Sequence, residues 1–224
     1  MSSAEKFIKF TGVRGMIARN MMGSLHNAAQ LTYTTDIDAR AMLAAREHFK
    51  TGDIAVGYED MILKSVSHAL QKHPEHNGTV DEKGALLSKE INLGFAVATP
   101  GGLMVPVIMA TQRKSLVQIS ADRRALTAKA QTGKLAIKDM KEGTFTVSNL
   151  GQTRVDHFTP ILNGGQIALL GVGRIRRPSD GKGAAQMGLS LTADHRVVDG
   201  WASGLFLTEI AEWLEALSAE KETI

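Results

Sequence analysis

The stretch that most constrains this chain is residues 187–200, MGLSLTADHRVVDG. Its first half alternates Leu189, Leu191 and Ala193 with Gly188, Ser190 and Thr192, the two-residue period of a half-buried strand. It stops at Asp194, His195 and Gly200. The period then lengthens, and Leu205, Phe206, Ile210, Trp213, Leu214 and Leu217 recur every three or four residues, as on an amphipathic helix. A chain that changes period this abruptly sets a histidine between a strand end and a helix start, where rigid elements hold a side chain in place. The remaining segments read as supports, partners and walls of His195.

Those segments interleave helical and extended patterns. An extended piece at residues 8–14 precedes a helix at 15–26. Residues 31–37 (LTYTTDI) are β-branched and aromatic, hence a strand. Asp38 is placed to N-cap a helix running through Phe49. A helix at 58–72 ends before His73-Pro74, because the residue before proline resists helical dihedrals. Short strands flank a turn at 81–84; 92–98 and 103–109 read as extended segments around a Pro-Gly-Gly turn. Residues 115–132 form a charged amphipathic helix, 144–148 a strand leading into Asn149 and Gly151, and 165–172 another strand. Residues 178–183 look like a hairpin tip. With 224 residues, 43% hydrophobic and 22% charged, and no linker or repeat between elements, one α/β domain is the economical organisation.

Composition removes several classes of function. A net charge of +3 without a Lys/Arg tract argues against a nucleic-acid partner. The chain has no cysteine, so it builds neither a disulfide framework nor a thiolate metal site. Any thiol chemistry therefore acts on a thiol that a substrate brings. No run of 18 apolar residues occurs and the start lacks a signal-peptide core, so the sequence reads as soluble and cytoplasmic, with no membrane partner.

Histidine is the side chain best suited to exchange a proton near neutral pH. His195, with Asp199 four residues on, is thus a candidate base, set against the plainer reading of a packed structural histidine. A metal pair of His195 and Asp199 is weak, since Val197 and Val198 are poor helix formers and no third ligand has suggestive spacing. Ser148 closes a strand just before Asn149 and Gly151, leaving a hydroxyl where backbone can approach a ligand; the alternative is a simple strand-ending turn. Gly171 and Gly173 lack the spacing of a dinucleotide loop. Arg174, Arg176, Arg177 and Lys182 form a loose basic cluster, read as a solvated hairpin ahead of a phosphate site.

Together these stretches resemble the catalytic domain of the dihydrolipoyl acyltransferases, the E2 components of 2-oxo acid dehydrogenase complexes. The run Asp194-His195-Arg196-Val197-Val198-Asp199-Gly200 matches that family's active-site signature in full. Residues 143–151 (GTFTVSNLG) resemble its strand into the oxyanion site, 92–108 its central strand pair, and Val13, Arg14, Ile17, Ala18 and Met21 its first helix. The resemblance spans residues 8–217 or so.

What the resemblance implies is a single two-layer domain with a mixed β-sheet flanked by helices, chloramphenicol-acetyltransferase-like and trimeric, occupying residues 8–218 between an extended or disordered N-terminal segment at 1–7 and a charged tail at 219–224. The active site lies between two subunits, with His195 from one and Ser148 from the next. Coenzyme A and a dihydrolipoyl thioester meet there as substrates, the lipoyl group being carried by another domain or protein, with dehydrogenase subunits as further partners. His195 acts as base, Ser148 as oxyanion donor, and Asp199 pairs with Arg14 to hold the loop. Asn149, Gly151 and Asn163 fall at the coenzyme-binding positions, and no metal is involved.

The chain departs from the family in three places. It leaves no room for a lipoyl domain. Asn163-Gly164-Gly165 stands where the family usually has Asn-Pro-Pro, and Ala28-Ala29 where an Ala-Pro is common. The charged tail is a poor knob for an apolar socket, which predicts trimers that do not join into a larger cage. A non-catalytic trimeric scaffold, or an acyltransferase acting on a small hydroxyl or amine, are the alternatives.

Overall fold

The computed structural model describes residues 7–177 and 183–218. Five helices are present among them: α1 (Gly12–Asn27), α2 (Arg40–Thr51), α3 (Tyr58–Lys72), α4 (Leu116–Gln131) and α5 (Gly200–Glu215). The strands are β1 (Gln30–Asp38), β2 (Gly78–Val80), β3 (Ala85–Leu87), β4 (Leu93–Phe95), β5 (Val97–Thr99), β6 (Gly102–Met104), β7 (Val107–Ile108), β8 (Phe145–Asn149), β9 (Ala168–Arg176) and β10 (Gln186–Asp194). Six of them form a mixed sheet in the order β1-β10-β9-β8-β4-β7, in which only the β9-β8 and β8-β4 pairs are parallel.

The sequence expectation of a half-buried β10 is corrected: from Met187 to Asp194 every residue is buried. The alternation separates two kinds of cover rather than core from water. Large residues pack toward helices, and Phe206 of α5 meets the Phe145 ring of β8 edge-on at 5.7 Å. Small and polar residues on the other face lie under the segment between β8 and β9. There the Asp156 carbonyl comes so close to Gly173 that an added Cβ would sit 1.8 Å from it, so any side chain at 173 would push the segment off.

Helix starts and stops follow local chemistry. Asp60 accepts from the Gly57 N–H at 2.7 Å and caps α3, while its buried carboxylate also takes Arg123 of α4, tying the two helices together. Ser115 caps α4 with a reciprocal Gln118 bond. Four boundaries differ from the sequence reading. Helix α1 begins at Gly12 rather than 15. Asp38 ends β1 and Ala39 takes the N-cap position of α2, but the Asp38 carboxylate still accepts the N–H of Arg40, the first residue of α2, at 2.9 Å and also pairs with the Arg40 guanidinium. The extended runs at 92–98 and 103–109 break into β4/β5 and β6/β7, and β5 and β6 form a separate hairpin. The strand expected from 165 starts only at Ala168, because Asn163–Gln166 closes a turn first. The Gln166 N–H donates to the Asn163 carbonyl at 3.0 Å, and Gly164 and Gly165 have φ of +54° and +78°. Positive φ at both central residues makes a type I′ turn, which glycine accommodates and proline cannot enter. The expected hairpin tip at 178–183 falls mostly outside the described residues, as do positions 1–6 and the charged tail at 219–224.

One buried group carries a pH dependence. The turn at Pro74–His76 stacks the His76 ring on Phe206, with centroids 4.4 Å apart, and leaves neither ring nitrogen with a hydrogen bond. Burial pushes His76 down to about 4, against the pull of Glu75 at 3.5 Å. The unfolded chain then binds more protons than the folded one between the ordinary histidine value and about 4. Stability is therefore full above that window and falls as pH drops through it, by up to about 3 kcal/mol. Urea unfolding at pH 7, 5.5 and 4 checks this: the His76→Phe variant should lose less stability than the parent across the window, and parallel losses would refute the assignment.

Candidate active site at the strand–helix junction

His195 sits at the corner between β10 and α5. The Val197 and Val198 N–H groups both donate to the Asp194 carbonyl, at 2.9 and 3.2 Å, which curls the chain into a tight turn. Val198 is buried and anchors the turn, while His195 is exposed on its outside. The His195 N–H donates to the Ala29 carbonyl at 2.9 Å. Asp199 then begins α5, its carboxylate accepting from the Ala202 N–H at 2.9 Å as a helix N-cap.

The acid beside His195 is the buried one. Asp194 is 1% exposed and takes both arms of the Arg196 guanidinium, Nε at 3.0 Å and Nη2 at 2.6 Å, together with the Arg196 N–H at 3.1 Å and the Ala29 N–H at 3.3 Å. Burial alone pushes the Asp194 carboxyl up. The Arg196 bonds and charge outweigh it and hold the group below the usual carboxylate range, and the bond to Asp194 raises Arg196 in turn. The pair is ionised.

This corrects the expected Arg14–Asp199 pair. Within one chain no ion pair joins them among the described residues: Arg14 is exposed on α1 and Asp199 is occupied as a cap. The loop is fastened instead by Asp194, Arg196 and Ala29. Sequence reasoning passed over these three although a signal was present, since an acid ending a buried strand needs a cation and Arg196 is two residues away.

Ser148 lies near the end of β8, half-buried, opposite Gly171 of β9, and Gly171 is opposite Ser190 of β10. His195 is five residues further along β10 than Ser190. At about 3.3 Å per residue and about 4.8 Å per strand, Ser148 and His195 are on the order of 20 Å apart in one chain. Of the remaining candidates Asn149 and Gly151 lie beside Ser148, whereas Asn163 opens the glycine turn at 164–165 between Thr146 and the cavity that Asp194 lines. Asn149 accepts from the Gly151 N–H at 2.7 Å, forming the turn that ends β8. Asn163 Nδ2 donates to Thr146 Oγ1 at 3.3 Å, and that hydroxyl donates to Gln166 Oε1 at 2.6 Å, so Asn163 braces the strand two residues before Ser148. Asp194 and Arg196, though not His195, line a cavity of about 980 Å3 bounded by the second half of α1, the turn at 81–83 and the glycine turn at 164–165.

The sequence pattern of the 2-oxoacid dehydrogenases acyltransferase catalytic domain matches residues 2–220. The chain belongs to this family. It is 36% identical over 203 residues to the dihydrolipoyllysine-residue acetyltransferase component of the pyruvate dehydrogenase complex of Bacillus subtilis, a match covering 86% of this chain and 46% of that protein. It is 34% identical over 221 residues to the succinyltransferase component of the 2-oxoglutarate dehydrogenase complex of Bartonella vinsonii, covering 94% and 54%. The chain thus spans about half the length of these curated relatives. Among solved structures, the Azotobacter vinelandii dihydrolipoamide acetyltransferase superposes with a TM-score of 0.87 at 30% identity, covering 95% and 92%. That structure comes from an investigation of the roles of a serine, a histidine and an asparagine four residues beyond it in the catalytic mechanism of that enzyme. Chloramphenicol acetyltransferase shares the fold, with a TM-score of 0.60 at 18% identity.

Within the family's signature the two aspartates have separate work in this chain: Asp194 is a buried ion-pair partner and Asp199 a helix cap. Capping is a property asparagine shares with aspartate and alanine lacks. Asp199→Asn should therefore unfold at the parent's temperature, whereas Asp199→Ala should lose about 1 kcal/mol. Thermal melts monitored by circular dichroism decide this, and an Asn variant as unstable as the Ala variant would show that the carboxylate does something other than cap α5.

Proposed function

We propose that this chain catalyses transfer of an acyl group between a dihydrolipoyl thioester and coenzyme A, at sites formed where copies of the chain meet. The observation that carries the reading is the strand register, Ser148 opposite Gly171 and Gly171 opposite Ser190, which sets His195 and Ser148 apart. At the roughly 20 Å that ideal strand spacing gives, they do not act on one carbonyl within a chain; His195 is exposed just past the end of β10 and Ser148 is half-buried one residue before the end of β8. A trimer in which the His195 edge of one subunit faces the Ser148 edge of the next brings them to a common seam. Support for such a seam comes from the apolar surface beside His195: Trp201 is 78% exposed, and Leu205 and Leu31 are also open to water.

The chemistry balances without a covalent enzyme intermediate. His195 takes the proton from the coenzyme A thiol, which at a pKa of about 8.5 is only slightly ionised at neutral pH. The thiolate attacks the thioester carbonyl, and the Ser148 hydroxyl donates to the oxyanion that forms. Collapse breaks the bond to the dihydrolipoyl sulfur, which leaves as a thiolate and collects the proton from His195. The absence of cysteine agrees with direct exchange between two substrate thiols. Asn149 and Gly151 shape the Ser148 side of the seam, Asn163 braces Thr146 two residues before Ser148, and Arg14 is exposed on α1.

The lipoyl group belongs to another domain or protein, and the setting is the cytoplasm beside the dehydrogenase subunits of a 2-oxo acid dehydrogenase complex. Acetyl and succinyl groups, named for the two relatives, are the acyl groups to compare. Among the described residues no helix is long and apolar enough to cross a membrane.

Subunit mixing tests the seam. His195→Ala and Ser148→Ala should each form trimers; the first should lose about 10²–10⁴-fold in kcat and the second about 10²–10³-fold. Refolded together in equal amounts they should recover about one quarter of parental activity, because three trimers in four then hold one seam with both residues intact. A mixture no more active than its components would place both residues in one subunit's site or outside it, and a fully active His195→Ala variant would remove the base.

A further inference from the structure

The assignment of His195 as the base leaves open what holds its backbone, and the site's hydrogen bonds supply an answer specific to this chain. Ala29 follows the last turn of α1 and precedes β1. Its carbonyl accepts from the His195 N–H at 2.9 Å, and its own N–H donates to Asp194 Oδ1 at 3.3 Å. The two bonds run in opposite senses between one residue of the α1–β1 junction and two consecutive residues of the catalytic loop. The same Oδ1 accepts Arg196 Nε and the Arg196 N–H, so residues on both sides of His195 converge on one buried atom.

We propose that Ala29, Asp194 and Arg196 form a clamp that positions His195 for proton transfer, with the buried Asp194 carboxylate as its centre and the Ala29 N–H as the prong particular to this chain. These three are positioning residues; none has to touch a substrate. The inference rests on the reading of His195 as base.

Several features make the clamp more than a packing contact. Asp194 is 1% exposed, so its orientation is set entirely by the donors around it. Arg196 reaches it with a planar fork, which fixes direction as well as distance in a way that a lysine's single ammonium does not. The Ala29 prong exists because residue 29 carries an N–H: a proline there, as is common in the family, would have none. Ala28 is extended, with φ −133° and ψ 139°, the conformation that a following proline requires, so Ala29→Pro deletes the donor without asking residue 28 to move. A displacement of about 1 Å of a reacting group can cost about 10²-fold in rate, whereas substrate binding elsewhere is unaffected. Loss of the clamp should thus lower kcat and leave KM.

The test uses the full chain, with acetyl-coenzyme A and free dihydrolipoamide as substrates, on four variants: Ala29→Pro, Arg196→Met, Arg196→Lys and His195→Ala. Ala29→Pro should lower kcat about two- to tenfold, the worth of one hydrogen bond, and Arg196→Met about ten- to a hundredfold, both with KM for each substrate within twofold of the parent. Arg196→Lys, which keeps the charge and loses the fork, should recover part of the Arg196→Met loss. Size-exclusion chromatography should give the parent's assembly for Ala29→Pro and Arg196→Lys. The proposal is overturned if Ala29→Pro keeps parental kcat, if its loss appears in KM instead, or if Arg196→Lys is no better than Arg196→Met. Those results with an inactive His195→Ala would sink the clamp alone. An active His195→Ala would sink the base assignment beneath it.

Discussion

A carboxylate enclosed at the end of a central strand is the constraint around which this molecule is arranged. Taking Asp194 out of water is costly unless its charge and lone pairs are met, and removing a partner from such a group leaves an uncompensated buried charge. Arg196 and the Ala29 N–H meet that requirement, and in doing so they fix the path of the chain on both sides of His195. The strand that delivers Asp194 is covered on both faces, and the helix that leaves the loop is capped by Asp199. His195 consequently has little backbone freedom while its ring projects outward. A rigid base on an exposed edge suits a reaction completed by a second surface.

The separation of imidazole and hydroxyl follows from sheet geometry. Strands β8, β9 and β10 are in a register that puts Ser148 level with the middle of β10, so the serine and the histidine belong to different edges of the domain. Neither residue completes the proposed site alone. In the proposed scheme, assembly joins a proton acceptor to an oxyanion donor, which makes catalysis conditional on oligomerisation. The seam also makes use of the apolar side chains left open around Trp201, which a solitary domain would have little reason to expose.

Much of this was legible in the amino-acid order. The shift from a two-residue to a 3.6-residue period located β10 and α5, Pro74 ended α3 at Lys72, and the charged amphipathic pattern over 115–132 located α4. The signature from Asp194 to Gly200 identified the family. What misled was local chemistry with two outcomes. Alternation along β10 suggested one wet face, because Gly188, Ser190 and Thr192 look polar; Gly188 instead makes room for the segment that carries Asp156, and the Thr192 hydroxyl is spent on Thr32 of β1. Asp38 does accept the first N–H of α2, but from the end of β1, one residue before the N-cap position, and it shares its carboxylate with the Arg40 guanidinium. Which aspartate of the signature is buried depends on tertiary contacts with Ala29, far away in sequence, and no local pattern encodes that.

The turn at Asn163–Gln166 has a consequence for any attempt to stiffen the molecule. Its central glycines have positive φ, and the Gly165 carbonyl accepts from the Val80 N–H at 2.6 Å, one of three backbone bonds that tie β2 to the body of the domain, beside Gly78 N–H to the Thr144 carbonyl at 3.2 Å and Ile167 N–H to the Gly78 carbonyl at 3.1 Å. A ring locked near −65° at either position would invert the peptide and swing that carbonyl away. Grafting the diproline of the wider family onto this backbone would therefore cost the β2–β3 hairpin one of its attachments as the loop tightened. At 164, where an added Cβ meets nothing within 4 Å, a residue tolerant of left-handed dihedrals such as asparagine or aspartate stiffens the turn without that loss, whereas at 165 it would sit 3.0 Å from the Val80 carbonyl.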